Sequence, residues 1–187
     1  ALPTINKAQL YFIDIPGAKQ SFLRIGNPAM PANASDYYQA VAVNNNLGGG
    51  FSGQFFQILR LQKGYTYGAY SGFSRVNAGG LFTARSSVRS NVTLESLQTF
   101  RDIMSNYGNE FNEIALEHTK SVLTKANSRA FETTGNLIGV LQNISSYSLA
   151  NNYIETQQES LDNLTLAQAK STIAKYINPD KMVYLVV

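Results

Sequence analysis

The 187-residue chain has no cysteine, no tryptophan and a single histidine. Without cysteine, it can form neither a disulfide nor a thiolate metal site, and a cysteine nucleophile is excluded. Catalytic zinc generally needs two or more histidine ligands, or histidine with carboxylates, so the lone His118 does not predict a metal site. His118 falls inside a predicted helix with no serine in a sharp glycine-flanked turn nearby, which argues against Ser–His catalysis. The sequence therefore predicts no catalytic residue and no metal ligand in this chain.

Charged residues and long apolar runs are also scarce. Of all residues, 14% are charged and 44% are hydrophobic, a balance typical of a folded globular chain. No apolar run approaches the roughly 18 residues that cross a bilayer, so we expect no membrane span in this segment. The length favours one domain over residues 1–187. Because the chain starts without methionine and stops in a predicted strand, we interpret it as a piece of a longer polypeptide whose compartment stays open.

Acidic residues are absent between Asp36 and Glu95. The same segment contains the basic residues Arg60, Lys63, Arg75, Arg85 and Arg89, although the whole chain has a formal net charge of only +3. Positive charge is therefore concentrated in the middle of the chain. Such a concentration fits an electropositive functional face, and it equally fits a face that is solvated or covered by an acidic partner.

Hydrophobic periodicity and turn residues predict an α+β domain. Turn signals such as Pro16-Gly17 separate predicted strands over residues 8–15, 20–25, 65–74, 80–88 and 182–187. Helices are predicted over residues 35–46, from 52 to a stop at Lys63-Gly64, from 93 onward, and over 111–130, 134–149, 151–159 and 166–177. Ser35 or Asp36 is expected to cap the first helix, and Thr165 the last.

The run Gly48-Gly49-Gly50-Phe51-Ser52-Gly53 satisfies the spacing G-x-G-x-x-G. A dinucleotide fingerprint, however, needs a preceding strand and an acidic residue about 20 positions later, and both are missing here. The glycines fit a flexible hinge between two helices. The alternative is a loop that approaches a bound chain closely or moves as a lid.

A basic segment rich in aromatic residues is also typical of proteins that bind single-stranded nucleic acid. The aromatic residues are Phe51, Phe55, Phe56, Tyr65, Tyr67, Tyr70, Phe73 and Phe82. The basic residues form no Lys/Arg run, and Lys63-Gly64-Tyr65 begins an RNA-recognition signature that Thr66-Tyr67-Gly68 does not continue. We therefore expect no nucleic-acid partner.

One stretch carries a more specific pattern. The glycine loop is followed by Phe55-Phe56-Gln57-Ile58-Leu59-Arg60 and then by Lys63-Gly64-Tyr65-Thr66-Tyr67-Gly68. This pattern resembles the C-terminal half of zinc peptidases of the pitrilysin, insulin-degrading-enzyme and mitochondrial-processing-peptidase family. The resemblance covers almost the whole chain, and the Arg60-to-Tyr67 part is its most specific element. It implies a two-layer α+β sandwich, in which helices back a mixed, mostly antiparallel sheet.

The resemblance also implies how such a domain works. In that family a homologous half carries the zinc motif His-x-x-Glu-His, which this chain lacks. By likeness, Arg60 and Tyr67 hold the peptide substrate opposite that catalytic half, with zinc bound there and none bound here. The Tyr67 hydroxyl would donate to the oxyanion formed during hydrolysis, and Gly48, Gly49 and Gly50 would form a loop near the substrate.

Two other functions remain open at this point. The chain is also compatible with a structural subunit of the same fold, like the non-catalytic core subunits of respiratory complexes, although Arg60 and Tyr67 count against that reading. A single-stranded nucleic-acid-binding module is the alternative of a different class, and salt-dependent binding of an oligonucleotide would reveal it.

Overall fold

A computed structural model describes residues 3–187. Its strands are β1 Gln9–Phe12, β2 Gln20–Pro28, β3 Thr66–Phe73, β4 Leu81–Arg89 and β5 Val183–Val186. Its α-helices are α1 Tyr37–Gly48, α2 Thr93–Glu110, α3 Glu113–Ser128, α4 Thr134–Tyr147, α5 Tyr153–Asp162 and α6 Leu166–Tyr176. A π-helix, Phe56–Gln62, lies between α1 and β3. The predicted α+β sandwich is confirmed.

The strands form one five-stranded sheet in the order β1-β5-β2-β4-β3. The β1–β5 pair is parallel and the other pairs are antiparallel, as the family resemblance implies. The C-terminal strand β5 returns between β1 and β2, which leaves β1 and β3 as the edge strands.

The two faces of the sheet differ because side chains alternate along each strand. On β4, the residues Phe82, Ala84, Ser86 and Val88 are buried, whereas Leu81, Arg85, Ser87 and Arg89 are exposed. The buried face packs against the helices. We call the other side the open face of the sheet; it carries Arg24, Arg85 and Arg89.

The core lies between the buried face and the helical layer. Helix α1 contacts β3 on one side and α3, α5 and α6 on the other, so it connects the sheet to the outer helices. The largest fully buried side chains include Phe55, Phe82, Phe100, Tyr107 and Phe111. Burial of each large apolar side chain contributes roughly 1.5–3 kcal/mol. The packing of the helices on the sheet is therefore the main source of stability.

The segment after the glycine loop is helical as predicted, but it is a π-helix rather than an α-helix. At its end, the Lys63 N–H donates to the Ile58 carbonyl at 2.9 Å, the i-to-i+5 spacing of a π-turn. Leu59 is fully buried inside this wider helix, and the chain leaves it through Gly64 at a φ of 62°. The predicted stop at Lys63-Gly64 is confirmed.

One of the two predicted helix caps forms in the structure, and the other does not. Thr165 forms a capping box with Gln168 at the start of α6, as predicted. Asp36 stands at the N-cap of α1 but makes no side-chain cap hydrogen bond. Its Oδ2 instead accepts hydrogen bonds from Lys175 Nζ and the Tyr176 hydroxyl, each at 2.6 Å. The carboxylate therefore joins the start of α1 to α6, because the two donors on α6 compete with the backbone N–H groups of α1 for its oxygen atoms.

Gly48 lies where α1 comes closest to β3. A Cβ added at Gly48 would clash with Ser71 Oγ and would lie 2.6 Å from the Ser71 backbone nitrogen and 2.7 Å from Phe55 Cδ2. Beside it, Asn44 Nδ2 donates to the Ser71 carbonyl at 2.9 Å. A side chain at position 48 would therefore force the helix away from the sheet.

This contact predicts a large difference between two neighbouring glycines. We expect Gly48→Ala to lower the free energy of unfolding by about 1–3 kcal/mol, because the added methyl overpacks against backbone. Gly50→Ala is the matched control, since a Cβ there would meet nothing within 4 Å. Urea unfolding of both variants and wild type measures the effect. Equal unfolding midpoints for Gly48→Ala and Gly50→Ala would contradict the close approach.

The contact between Asp36 and α6 predicts sensitivity to acid. Burial by itself raises the pKa of the Asp36 carboxyl, but hydrogen bonds from Lys175 and Tyr176 and the charge of Lys175 hold it below its ordinary value. A carboxylate with a lowered folded pKa stabilises the fold above its unfolded pKa of about 4. That contribution is lost as the pH falls through the folded value. We expect Asp36→Asn to reduce the free energy of unfolding by about 1 kcal/mol at neutral pH, after allowance for solvent screening.

The difference between Asp36→Asn and wild type should shrink as the pH is lowered below about 4. Urea unfolding at neutral and acidic pH measures it. Asp180→Asn serves as the control, because the Arg101–Asp180 pair is 60% and 69% exposed and should contribute nothing measurable. A pH-independent difference for Asp36→Asn would show that its charge is not involved.

Candidate functional site

Arg60 and Tyr67, seven positions apart in sequence, are in contact. The Arg60 guanidinium carbon lies 5.2 Å from the centroid of the Tyr67 ring, within the range of a cation–π interaction. Arg60 Nη1 also donates to the Thr66 carbonyl at 3.5 Å. The structure thus brings together the two residues that the sequence motif singled out.

Tyr67 faces solvent because β3 has an irregularity at this point. The β3–β4 register shifts between Thr66 and Ala69, as in a β-bulge. Side chains satisfy the displaced backbone groups: the Gly68 N–H donates to Thr66 Oγ1 at 3.0 Å, and Ser86 Oγ donates to the Gly68 carbonyl at 2.9 Å. These hydrogen bonds stabilise the bulge on the buried side of the sheet. The bulge leaves Tyr67 82% exposed on the opposite side.

A pocket of about 440 Å³, which we call the Tyr67 pocket, lies beside this pair. Lys19, Arg60 and Arg89 contribute the positive charge of its wall, and no acidic residue lines it. Its other lining residues are Gln20, Gly64, Tyr65, Thr66, Tyr67 and Ser87. Sequence reasoning missed Lys19 and Gln20, because only the pairing of β2 with β4 brings them next to Arg89.

The side chains at the Tyr67 pocket offer hydrogen-bond donors of the kind that a carbonyl oxygen accepts. The Arg60 guanidinium is a planar fork of N–H donors that suits a carbonyl or carboxylate oxygen. The Tyr67 hydroxyl is an exposed donor on a fixed ring, and a donor held in place in advance can stabilise developing negative charge.

The glycine loop does not line the Tyr67 pocket, and it contacts the π-helix that carries Arg60. Gly48, the last residue of α1, is buried, whereas Phe51 at the tip of the loop is 72% exposed. The Phe51 ring lies 5.1 Å from Phe56 and 6.3 Å from Tyr70, measured between centroids. Gln57 Nε2 donates to the Phe51 carbonyl at 2.7 Å and attaches the loop to the π-helix that carries Arg60. Gly48 thus has a packing role, and Gly49 and Gly50 lead to an aromatic patch next to the site.

His118 is exposed on α3, as expected. Across residues 3–187, no group of three or more His, Asp or Glu side chains is arranged to hold a metal ion. The residues present therefore do not fit a zinc site. No helix in the same residues is long and apolar enough to cross a membrane.

Comparison with known proteins bears on both the fold and the site. Residues 1–123 match the protein family described as peptidase M16 inactive domain. A search of curated proteins found no match. The peptidase M16 inactive domain from Pseudomonas fluorescens has a similar structure, with a TM-score of 0.88 and 26% identity over 100% of this chain and 44% of that one. The present chain therefore spans less than half the length of that relative.

Two further structures share the fold at lower identity. A putative zinc protease from Bordetella pertussis gives a TM-score of 0.74 with 13% identity over 92% of this chain and 95% of that one. A mutant of the ferredoxin protease FusC, in complex with Arabidopsis ferredoxin, gives 0.73 with 11% identity over 96% of this chain and 20% of that one. The family match over residues 1–123 confirms the family resemblance seen in the sequence, and the chain belongs to the family of peptidase M16 inactive domains.

Proposed function

We propose that residues 1–187 form one domain, the substrate-binding half of a zinc-dependent endopeptidase. A homologous catalytic half, fused to it or separate, holds the zinc and activates the attacking water. The observation that carries this proposal is the contact of Arg60 with the exposed Tyr67 at the mouth of a basic pocket. A complex of the ferredoxin protease FusC with ferredoxin shows that a protein with a similar domain binds a polypeptide.

Tyr67 and Arg60 have separate roles in this proposal. The Tyr67 hydroxyl donates to the oxygen of the scissile carbonyl, where negative charge develops during hydrolysis. Arg60 supports the Tyr67 ring from one side and offers its remaining N–H groups to the neighbouring backbone of the peptide. Both side chains act by binding and positioning, and the proton transfers belong to the other half.

The side-chain donors favour the Tyr67 end of β3 as the position of the peptide. Side chains already bond to backbone carbonyls at both ends of this strand: Asn44 donates to Ser71 at 2.9 Å, and Arg60 Nη1 donates to Thr66 at 3.5 Å. Free backbone groups for an added strand therefore do not distinguish the two ends. We place the scissile bond near Tyr67 because its exposed hydroxyl lies beside the Arg60 guanidinium.

Substitution of the two residues tests their role in the assembled peptidase. We expect Tyr67→Phe to lower kcat roughly 100-fold with little change in KM, because the lost donor acts mainly in the transition state. Arg60→Ala should lower kcat/KM as well, since it removes the support of the ring. The measurement is cleavage of an unstructured peptide by the intact parent protein.

Tyr11→Phe is the matched control, because Tyr11 is also an exposed strand tyrosine but lies on β1, at the opposite edge of the sheet. It should leave both kinetic constants unchanged. Wild-type rates for Tyr67→Phe and Arg60→Ala, with folding intact by circular dichroism, would remove both residues from the site.

Zinc content of the intact parent protein, purified with whatever stays bound to it, tests the proposed partner half. We expect about one zinc per assembly, since one half of such an enzyme carries the metal, and we expect a chelator to abolish peptide cleavage. The present chain purified alone should contain no zinc and cleave nothing. A stable assembly with neither zinc nor cleavage would favour the structural-subunit function instead.

A further inference from the structure

Two arginines lie directly opposite each other on the open face of the sheet. Arg24 of β2 is the register partner of Arg85 of β4. Phe22 and Val187, the residue after β5, exchange backbone hydrogen bonds of 2.7 and 3.0 Å. Hydrogen-bonded pairs alternate along an antiparallel ladder, so Arg24, two residues later, also directs its backbone N–H and C=O to β5, where it pairs with Leu185. Arg24 and Arg85 are therefore a non-hydrogen-bonded pair, whose Cα atoms lie only about 4.5 Å apart in an antiparallel ladder.

The described residues supply no counter-charge to this pair. Like charges directly opposite each other destabilise a sheet, and a bound anion would reduce the repulsion between the two guanidinium groups. Strands β2, β3 and β4 contain no acidic residue. Within residues 3–187 the ion pairs lie elsewhere, at Arg101–Asp180, Lys120–Glu117 and Lys175–Asp36.

The guanidinium of Arg24 contacts an aromatic ring rather than a carboxylate. Its central carbon lies 5.6 Å from the centroid of the Phe22 ring, on the same strand face. This cation–π contact orients the side chain without reducing its charge. The N–H donors of Arg24 and Arg85 therefore remain available on the open face.

Arg24 and Arg85 line a pocket of about 370 Å³, which we call the Arg85 pocket. Tyr70, Gly72 and Thr83 form part of its wall. A Cβ added to Gly72 would meet nothing within 4 Å, so the space beside Arg85 is open. Two guanidinium groups around an open space match a carboxylate, which accepts forked N–H donors.

We propose that Arg24 and Arg85 bind an acidic side chain of the peptide substrate. The inference rests on the proposed function and adds a substrate class to it, namely peptides with Asp or Glu at one defined position. The Arg85 pocket lies on the same open face as the Tyr67 pocket, as the alternation of Arg85, Ser87 and Arg89 on β4 shows. A peptide bound at Tyr67 can therefore reach it.

The spacing of the two pockets predicts the position of the acidic residue. Arg85 is the register partner of Tyr70, which lies three residues beyond Tyr67 on β3. The bulge makes Thr66–Ala69 pair with only three residues of β4, Ser86–Val88, so Tyr67 and Tyr70 lie about two strand positions apart. At about 3.4 Å per position this separation is about 7 Å, the length of about two residues of extended peptide. The acidic side chain should therefore lie about two residues from the scissile bond.

The test uses the intact parent enzyme and matched peptides. One peptide series carries Glu, and the other carries the isosteric Gln, at each position within four residues of the scissile bond on either side. We expect kcat/KM to be roughly tenfold higher for Glu than for Gln at one position about two residues away, and equal elsewhere. Arg85→Gln and Arg24→Gln should each reduce that ratio, and Arg85→Glu should invert it in favour of Gln.

Arg101→Gln is the matched control, because this exposed arginine lies on α2, in the helical layer. It should keep the Glu-to-Gln ratio of wild type. Folding of the Arg24 and Arg85 variants is checked by thermal unfolding. We expect no loss of stability in these variants, since each relieves a like-charge pair.

The outcomes separate this inference from the proposed function. Equal cleavage of Glu and Gln peptides at every position overturns the acidic subsite and leaves the peptidase function intact. Absence of cleavage of any peptide by the wild-type parent overturns the proposed function itself. If Arg85→Gln slows all peptides equally and weakens assembly with the catalytic half, the arginines bind an acidic surface of that half, and the inference is wrong.

Discussion

The close approach of helix α1 to strand β3 is the constraint on which the rest of the site depends. Gly48 has no room for a side chain there, and Gly53 packs against it in turn, since a Cβ on Gly53 would lie 2.9 Å from the Gly48 Cα. The chain must therefore turn within a few residues and enter the π-helix directly beside β3. The wide turn of that helix buries Leu59 and leaves Arg60 next to the strand, where it meets Tyr67.

A second constraint is that, within residues 3–187, the helices cover one face of the sheet and leave the other open. The helices bury the apolar side of β2 and β4, and the alternation of the strands then places their basic side chains together on the open face. Acidic residues lie outside the 37–94 segment, and the ion pairs of the described residues also lie away from the open face. The separation of charge in the sequence thus becomes a separation of charge between the two layers.

These features fit our proposal that this domain binds the substrate and that another half holds the catalytic residues. The described residues place exposed hydrogen-bond donors and positive charge on the open face of the sheet, and residues 3–187 contain no group of three or more potential metal ligands. In our proposal this half binds the substrate and the other half hydrolyses it, so substitutions can alter binding and hydrolysis separately. Substrate preference would then be determined by this half, through pockets whose walls come from strands that are far apart in sequence.

The sequence by itself determined the class of fold and most helix positions, because hydrophobic periodicity and turn residues are local properties. The pair Arg60 and Tyr67 was predicted from the family resemblance of the motif that contains them. It also predicted no zinc site in this chain, since zinc sites generally contain more than one histidine or combine histidine with carboxylates. It missed that Asp36 bonds to Lys175 and Tyr176 instead of capping its helix, and that residues 56–62 form a π-helix. It could not show that Arg24 lies opposite Arg85, or that Lys19 joins Arg89 beside Tyr67. Only the tertiary structure decided these contacts, because they depend on β2 pairing with β4, about 60–70 positions away, and the pattern of one strand does not show which strand it pairs with.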